Sequence, residues 1–223
     1  MIEIWDLFVK YFPRLMNGAI LTIELTIISI ILGSFLGLLL GIGKVYGYKP
    51  ISMICSFFIE LIRGTPLLVQ LFILYFGLPA TGLKLSPWTA SVIAFTINSG
   101  CYQAEYLRGS LLSIASNQMR AARSLGMTKI QSVIFVMLPQ AIRRVIPAWT
   151  NEFIYLLKYS SLAYMVGVSE LMGTTKVIAS RNYRFFDMYI ITALIYLVMV
   201  LCFSFLFTYL EKKTKIPDLK SIR

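Results

Sequence analysis

Histidine is absent from this chain of 223 residues, and only three cysteines occur, Cys55, Cys101 and Cys202. The cysteines stand far apart inside apolar stretches, with no Cys-x-x-Cys spacing, which argues against a metal site or a disulfide framework. Without histidine or clustered cysteine, a membrane enzyme would also lack the usual nucleophile and acid-base groups. No Gly-x-x-x-x-Gly-Lys-Ser/Thr loop is present to cradle nucleotide phosphates, so if ATP drives this protein another chain binds it. Acidic residues are scarce as well, 10 against 21 Lys and Arg, giving a net charge of +11. In a chain this apolar, that excess answers to anionic inner-leaflet lipid and topology control, and no nucleic-acid partner is expected.

What is abundant is apolar side chain. Hydrophobic residues make up 58% of the sequence and the mean hydropathy is +0.76. A water-soluble globule of this size would need more polar groups to cover it, so the apolar surface must face lipid. A helix needs roughly 20 mostly apolar residues to cross the hydrocarbon core. Five stretches reach that length, 18–43, 51–79, 86–107, 131–157 and 186–210, and predict an all-α polytopic membrane protein. Glu3, Asp6, Lys10 and Arg14 precede the first stretch and no small-residue cleavage site follows it, so the first span is expected to remain in the mature protein.

The basic residues set the orientation. With the N-terminus outside, thirteen lie in inner segments: Lys44, Lys49, Arg108, Arg120, Arg123, Lys129, Arg143, Arg144, Lys212, Lys213, Lys215, Lys220 and Arg223. Six lie outside, Lys10, Arg14, Lys84, Lys176, Arg181 and Arg184, and Arg63 and Lys158 fall within spans. This bias predicts an external N-terminus and a cytoplasmic C-terminus. The polar segment 173–187, between the last two spans, is then an external loop that either meets a soluble protein or is simply solvated.

Between the third and fourth spans lies an amphipathic island, Gln118-Met-Arg-Ala-Ala-Arg-Ser-Leu-Gly126, followed by Val136-Met-Leu138-Pro139. Ala121, Ala122, Gly126, Val136, Leu138 and Pro139 have the spacing of the Glu-Ala-Ala-x3-Gly-x9-Ile-x-Leu-Pro motif, the EAA loop, and the segment resembles that loop in ATP-binding-cassette importer permeases. Arg120 stands where the family usually has Glu, and Val136 where it has Ile. The resemblance implies that a cytoplasmic coupling loop, about 108–131, receives the ATPase through Arg120, Ala121, Ala122, Leu125, Gly126 and Pro139. Residues 117–128 read as a short surface helix with Ala121, Ala122 and Leu125 as a small apolar face, ended by Gly126 and Thr128. A purely interfacial helix would favour bulky side chains over two alanines.

The spans carry further signals. Gly33, Gly37 and Gly41 recur every four residues and predict close helix packing. Glu24 is expensive in a span and is expected to reach water near the outer end. Glu60 and Arg63, three apart, are expected to pair, and Pro66 should bend or unwind the helix near Gly64 and Thr65. Arg63-Gly-Thr-Pro-Leu-Leu-Val-Gln70 resembles the second-span signature of the polar amino-acid subfamily of these permeases. Asn98, Tyr102 and Glu105 form a narrow polar stripe on the third span, suited to helix-helix hydrogen bonds or to a solute path. Glu105 and Arg108 are expected to form a salt bridge. Asn151-Glu-Phe-Ile-Tyr-Leu-Leu-Lys158-Tyr-Ser-Ser-Leu162 resembles the subfamily's fourth-span run. Asn151 and Lys158 share one face, with Glu152, Tyr155 and Tyr159 on the adjacent one.

Together these resemblances run from Gly18 to Leu210 and imply the type I importer fold as a single transmembrane domain over 1–223, in the bacterial cell membrane. They imply cytoplasmic ATPase partners that carry ATP and Mg, an external substrate-binding protein, and a second permease, with a homodimer the simpler assumption and a heterodimer the alternative. Five helices are too few to enclose a path alone. No cofactor is expected on this chain. Substrate contact is expected from Glu60, Asn98, Tyr102, Glu152, Lys158 and Ser161: Lys158 and hydroxyls meet a carboxylate, and a Glu meets an ammonium. A second carboxylate would suit a second positive charge, hence an expected cationic amino acid such as arginine, lysine or histidine. An ion-coupled secondary transporter is the alternative, using carboxylates such as Glu24 and Glu152, but it would not need a docking loop and would usually show an internal repeat.

Overall fold

The computed structural model describes residues 4–114 and 116–214. Glu3 and the tail residues Lys215, Lys220 and Arg223 used to read orientation lie outside the described residues, as does Ala115 of the coupling loop. The described chain is helical almost throughout and has no strand. Helix α1 spans Ile4–Tyr46, α2 Lys49–Arg63, α3 Leu67–Phe72, α4 Pro87–Ser113, α5 Ser116–Ser124, α6 Lys129–Ser132, α7 Leu138–Tyr159, α8 Leu171–Asn182 and α9 Phe185–Thr214. A π-helical turn at Ile73–Gly77 prolongs α3, and another at Val133–Met137 joins α6 to α7.

By length and apolarity, Ile4–Tyr46 and Phe185–Lys213 are able to cross a membrane. The pair Lys49–Arg63 and Leu67–Thr81, bent by 100°, makes a third when taken as one broken span. The bend falls at Gly64-Thr65-Pro66, where Pro66 has no N–H to donate. Gln70 braces the break, donating from Nε2 to the carbonyls of Ile62 at 2.7 Å and Thr65 at 3.1 Å. The other two expected spans correspond to α4 and α7, 27 and 22 residues long. At 1.5 Å per residue these are about 40 and 33 Å, long enough to cross. Their polar residues lower their hydropathy; Asn98, Tyr102 and Glu152 among them line the cavity described below, while Arg143, Arg144, Asn151 and Lys158 of α7 are exposed.

The pairing of α1 with α4 organises the molecule, and glycine makes it possible. A Cβ at Gly37 would lie 2.8 Å from the carbonyl oxygen of Gly100 and 3.1 Å from the backbone nitrogen of Ala104. Only the absence of a side chain lets the two backbones approach this closely. The core then divides. Leu25, Leu71, Phe95, Phe153 and Leu156 join α1, α3, α4 and α7, and Phe153 meets Phe203 of α9 with ring centroids 4.8 Å apart. Leu7, Leu15, Leu171 and Met188 join α1, α8 and α9.

The polar segment 173–187, expected as a loop, is mostly α8. Its N-cap is Glu170, fully buried, whose carboxylate accepts from the Met172 and Gly173 backbone N–H groups at 2.9 and 2.8 Å. The same carboxylate accepts from the hydroxyls of Thr22 on α1 at 3.2 Å and Tyr196 on α9 at 3.0 Å. One capping residue thus starts a helix and ties three elements together, stabilising the N-terminal N–H groups that would otherwise lack partners.

Candidate functional site

The break after α2, the middle of α4 and the second half of α7 enclose a cavity of about 700 Å³. Asn98, Tyr102 and Tyr106 line it from α4, Glu152, Tyr155 and Tyr159 from α7, and Arg63 with Gly64-Thr65-Pro66 from the break. Asn98 donates from Nδ2 to Oε1 of Gln70 at 3.1 Å, so it both braces the break and faces the cavity. The two readings open for Asn98 are therefore compatible.

Glu152 is 6% exposed, and its Oε2 accepts from the Tyr106 hydroxyl at 3.1 Å. A carboxylate this deep is costly unless hydrogen-bonded. Behind it runs a polar relay. Trp149 Nε1 donates to Ser34 Oγ at 2.7 Å, Ser34 lies 2.7 Å from Gln103 Oε1, and Gln103 Nε2 donates to Ser99 Oγ at 3.1 Å. Side chains from α1, α4 and α7 are thereby tied together within one turn of Glu152.

Three of the six expected contact residues, Asn98, Tyr102 and Glu152, meet in this cavity. The other three lie elsewhere. Glu60 is 74% exposed in its side chain and sits 3.9 Å from Lys44. Lys158 is exposed, with its ammonium 4.8 Å from the centre of the Tyr155 ring. Ser161 donates to the Lys158 carbonyl at 2.8 Å. The expected pairing of Glu60 with Arg63 does not form. Arg63 reaches instead to α4, where its guanidinium lies 5.0 Å from the Tyr102 ring centre and 3.8 Å from Glu105. Glu105 pairs with Arg108 at 2.9 Å as expected, and also with Lys44 at 2.8 Å. Arg63, Tyr106, Tyr155 and Tyr159 are cavity residues missed as contacts in the sequence. For Tyr106 a signal existed, because it continues the i, i+4 series of Asn98 and Tyr102.

The α5 segment ends as its sequence predicts. Gly126 adopts φ +86°, its N–H bonds the Arg123 carbonyl at 3.0 Å and the Met127 N–H bonds the Ala122 carbonyl at 3.2 Å. This is the Schellman arrangement, which needs a left-handed residue and so favours glycine. Thr128 then caps α6 in a reciprocal box with Gln131. One expectation needs correcting: Ala122 is 5% exposed and packs inward, so the outward apolar surface consists of Ala121 and Leu125, the latter 82% exposed. On a short helix packed against its own chain, two adjacent alanines necessarily point to different sides. Pro139 lies in the first turn of α7, directly after the π-helical turn.

The chain is thus a helical bundle with a broken span, a polar cavity set among its helices and an exposed helix on the connection between α4 and α7. The family described as binding-protein-dependent transport system inner membrane component matches residues 30–216, and the chain belongs to it. It is 35% identical to the glutamine transport system permease protein of Escherichia coli (strain K12) over 214 residues, covering 95% of this chain and 98% of that protein. It is 40% identical to the L-cystine transport system permease protein of Bacillus subtilis (strain 168) over 201 residues, covering 89% and 85%.

Among solved structures, an amino acid ABC transporter crystallised with histidines aligns at a TM-score of 0.88 and 41% identity, over 96% of this chain and 99% of that one. An inward-facing methionine ABC transporter, MetNI, aligns at 0.79 and 21% identity over 93% and 99%, which establishes likeness of fold alone. The fold is the type I importer permease fold, and members of the family sit in the inner membrane. They work with a substrate-binding protein and an ATPase subunit, so ATP hydrolysis resides on a separate chain. The ion-coupled alternative is not favoured.

Proposed function

We propose that this chain forms the membrane path of an ATP-driven importer for a polar amino acid with a cationic side chain. The observation that carries this reading is the cavity, in which the Glu152 carboxylate stands among Tyr102, Tyr106, Tyr155 and Tyr159. A carboxylate pairs with an ammonium, and tyrosine ring faces attract cations. The names of the relatives support an amino-acid substrate.

The remaining parts follow from the same reading. The N-terminus is outside, and the coupling loop, about 108–131, meets the cytoplasmic ATPase, which carries ATP and Mg. Closure of the ATPase pushes α5 as a lever through Arg120, Ala121, Leu125 and Gly126, with Ala122 and Pro139 anchoring the loop to the bundle. A second copy of the chain completes the path. Supporting a homodimer, Asn151 and Lys158 are exposed on one face of α7, and polar groups in a span do not face lipid. Lys158 and Ser161 then contact substrate only from the rim of that joint path, and Glu60 from its inner mouth.

Glu152→Gln tests the selectivity. It keeps size and hydrogen bonding but removes a charge-assisted interaction of about 1.5–3 kcal/mol. With a binding protein that delivers both solutes, arginine uptake is expected to fall roughly tenfold or more while glutamine uptake is spared. An unchanged ratio of the two rates overturns the cationic assignment and leaves the amino-acid permease reading standing.

A further inference from the structure

We propose that Arg63 holds the α-carboxylate of the transported amino acid, opposite Glu152, which faces its cationic side chain; the inference rests on the amino-acid importer reading. Arg63 is the last residue of α2 and stands at the break that opens the cavity. It carries the cavity's positive charge as Glu152 carries its negative one. Among the described residues these two form no ion pair, although both line the same space. Opposite charges that share a cavity without closing on each other leave room for a ligand bearing both. A cationic amino acid, with a carboxylate at one end and a positively charged side chain at the other, fits that description.

The other interactions of Arg63 leave its donors available. A guanidinium carries five N–H groups in a planar fork suited to a carboxylate. Among the described residues Arg63 donates no hydrogen bond, and its ion-pair contact is Glu105 at 3.8 Å. Glu105 is already neutralised by Lys44 at 2.8 Å and Arg108 at 2.9 Å, so it does not depend on Arg63. The Tyr102 ring, 5.0 Å away, supports the guanidinium through its face and competes for none of its N–H groups. Lys158, the cation first expected to meet the carboxylate, does not line the cavity.

The test compares each amino acid with the amine that lacks its carboxylate. The chain is assembled with its ATPase in lipid nanodiscs without binding protein, and equilibrium binding is measured for arginine and agmatine, and for glutamine and 4-aminobutanamide. Arg63→Gln is expected to weaken the amino acid by about tenfold to a hundredfold, as for a lost charge-assisted pair, and to change the amine by less than twofold. Arg63→Lys, which keeps the charge but not the fork, is expected to lose part of the preference for acid over amine, and it serves where Arg63→Gln does not assemble. Equal weakening of acid and amine, or an unchanged preference in both variants, overturns the role of Arg63 alone. A wild-type complex that binds neither amino acid overturns the importer reading, and this inference with it.

Discussion

Replacing Gly37 with alanine tests whether backbone contact between α1 and α4 holds the fold together. The new Cβ would meet the Gly100 carbonyl oxygen at 2.8 Å, the Gln103 Cβ at 2.9 Å and the Ala104 nitrogen at 3.1 Å. Two of these are backbone atoms of a helix, so the strain is relieved only by moving α1 away from α4. Overpacking of this kind costs about 1–3 kcal/mol. Alanine also gains about 1 kcal/mol of helix propensity over glycine, which hides part of that cost. Gly109, also inside α4, is the internal control, because a Cβ there meets nothing within 4 Å. Gly109→Ala gains the propensity without the clash, so the difference between the two variants isolates the crossing. At roughly 2–4 °C per kcal/mol for a chain of this size, Gly37→Ala should unfold about 2–12 °C below Gly109→Ala. The assay is thermal unfolding of the purified permease–ATPase complex. Equal unfolding temperatures for the two variants would refute the packing argument.

Leu125→Arg alters the exposed tip of α5 without touching the core, so the permease should fold and insert normally while substrate-stimulated ATP hydrolysis falls severalfold; normal stimulation would sink the docking role of this segment. Arg120→Glu restores the usual residue of the family's motif, and if the partner surface carries a compensating acidic group, co-purification with the ATPase should weaken; unchanged recovery means the charge is immaterial. Orientation is read from a chain whose three cysteines are replaced by alanine. Arg181→Cys on α8 should then react with an impermeant thiol reagent in intact cells and Gln118→Cys on α5 should not, and the reverse pattern would invert the topology.

How far the sequence foretold the structure depended on whether an interaction was local. The glycine repeat of α1, the break before Pro66, the Glu105–Arg108 pair and the Gly126 cap were all legible, because each is set by spacing along one helix or turn. Glu60 and Arg63 have equally good spacing, yet each finds a partner on another helix, Lys44 of α1 and Glu105 of α4. Spacing makes a pair available, and tertiary packing decides whether it forms. The same limit hid the cavity. Tyr155 and Tyr159 stand one turn apart on α7, but only the bent backbone at Gly64 to Pro66 reveals that they face Arg63. Helix α8 escaped notice because Gly173 to Asn182 has no clear apolar period, and its start depends on Glu170, whose partners lie on α1 and α9. Lys158, seven residues from Asn151, shares that residue's exposed face as its spacing predicts, and so stands outside the cavity that Glu152 lines.

The central claim is that this chain, driven by an ATPase it does not contain, carries an amino acid along a path that a second copy of the chain completes. The direct measurement is uptake of labelled arginine into proteoliposomes holding the permease and its ATPase, with binding protein supplied at the outer side and ATP sealed inside. Uptake that requires both ATP and binding protein, and falls roughly tenfold or more in Glu152→Gln while glutamine uptake is retained, is the predicted result. Uptake that proceeds without ATPase, driven by a proton or sodium gradient, would contradict it.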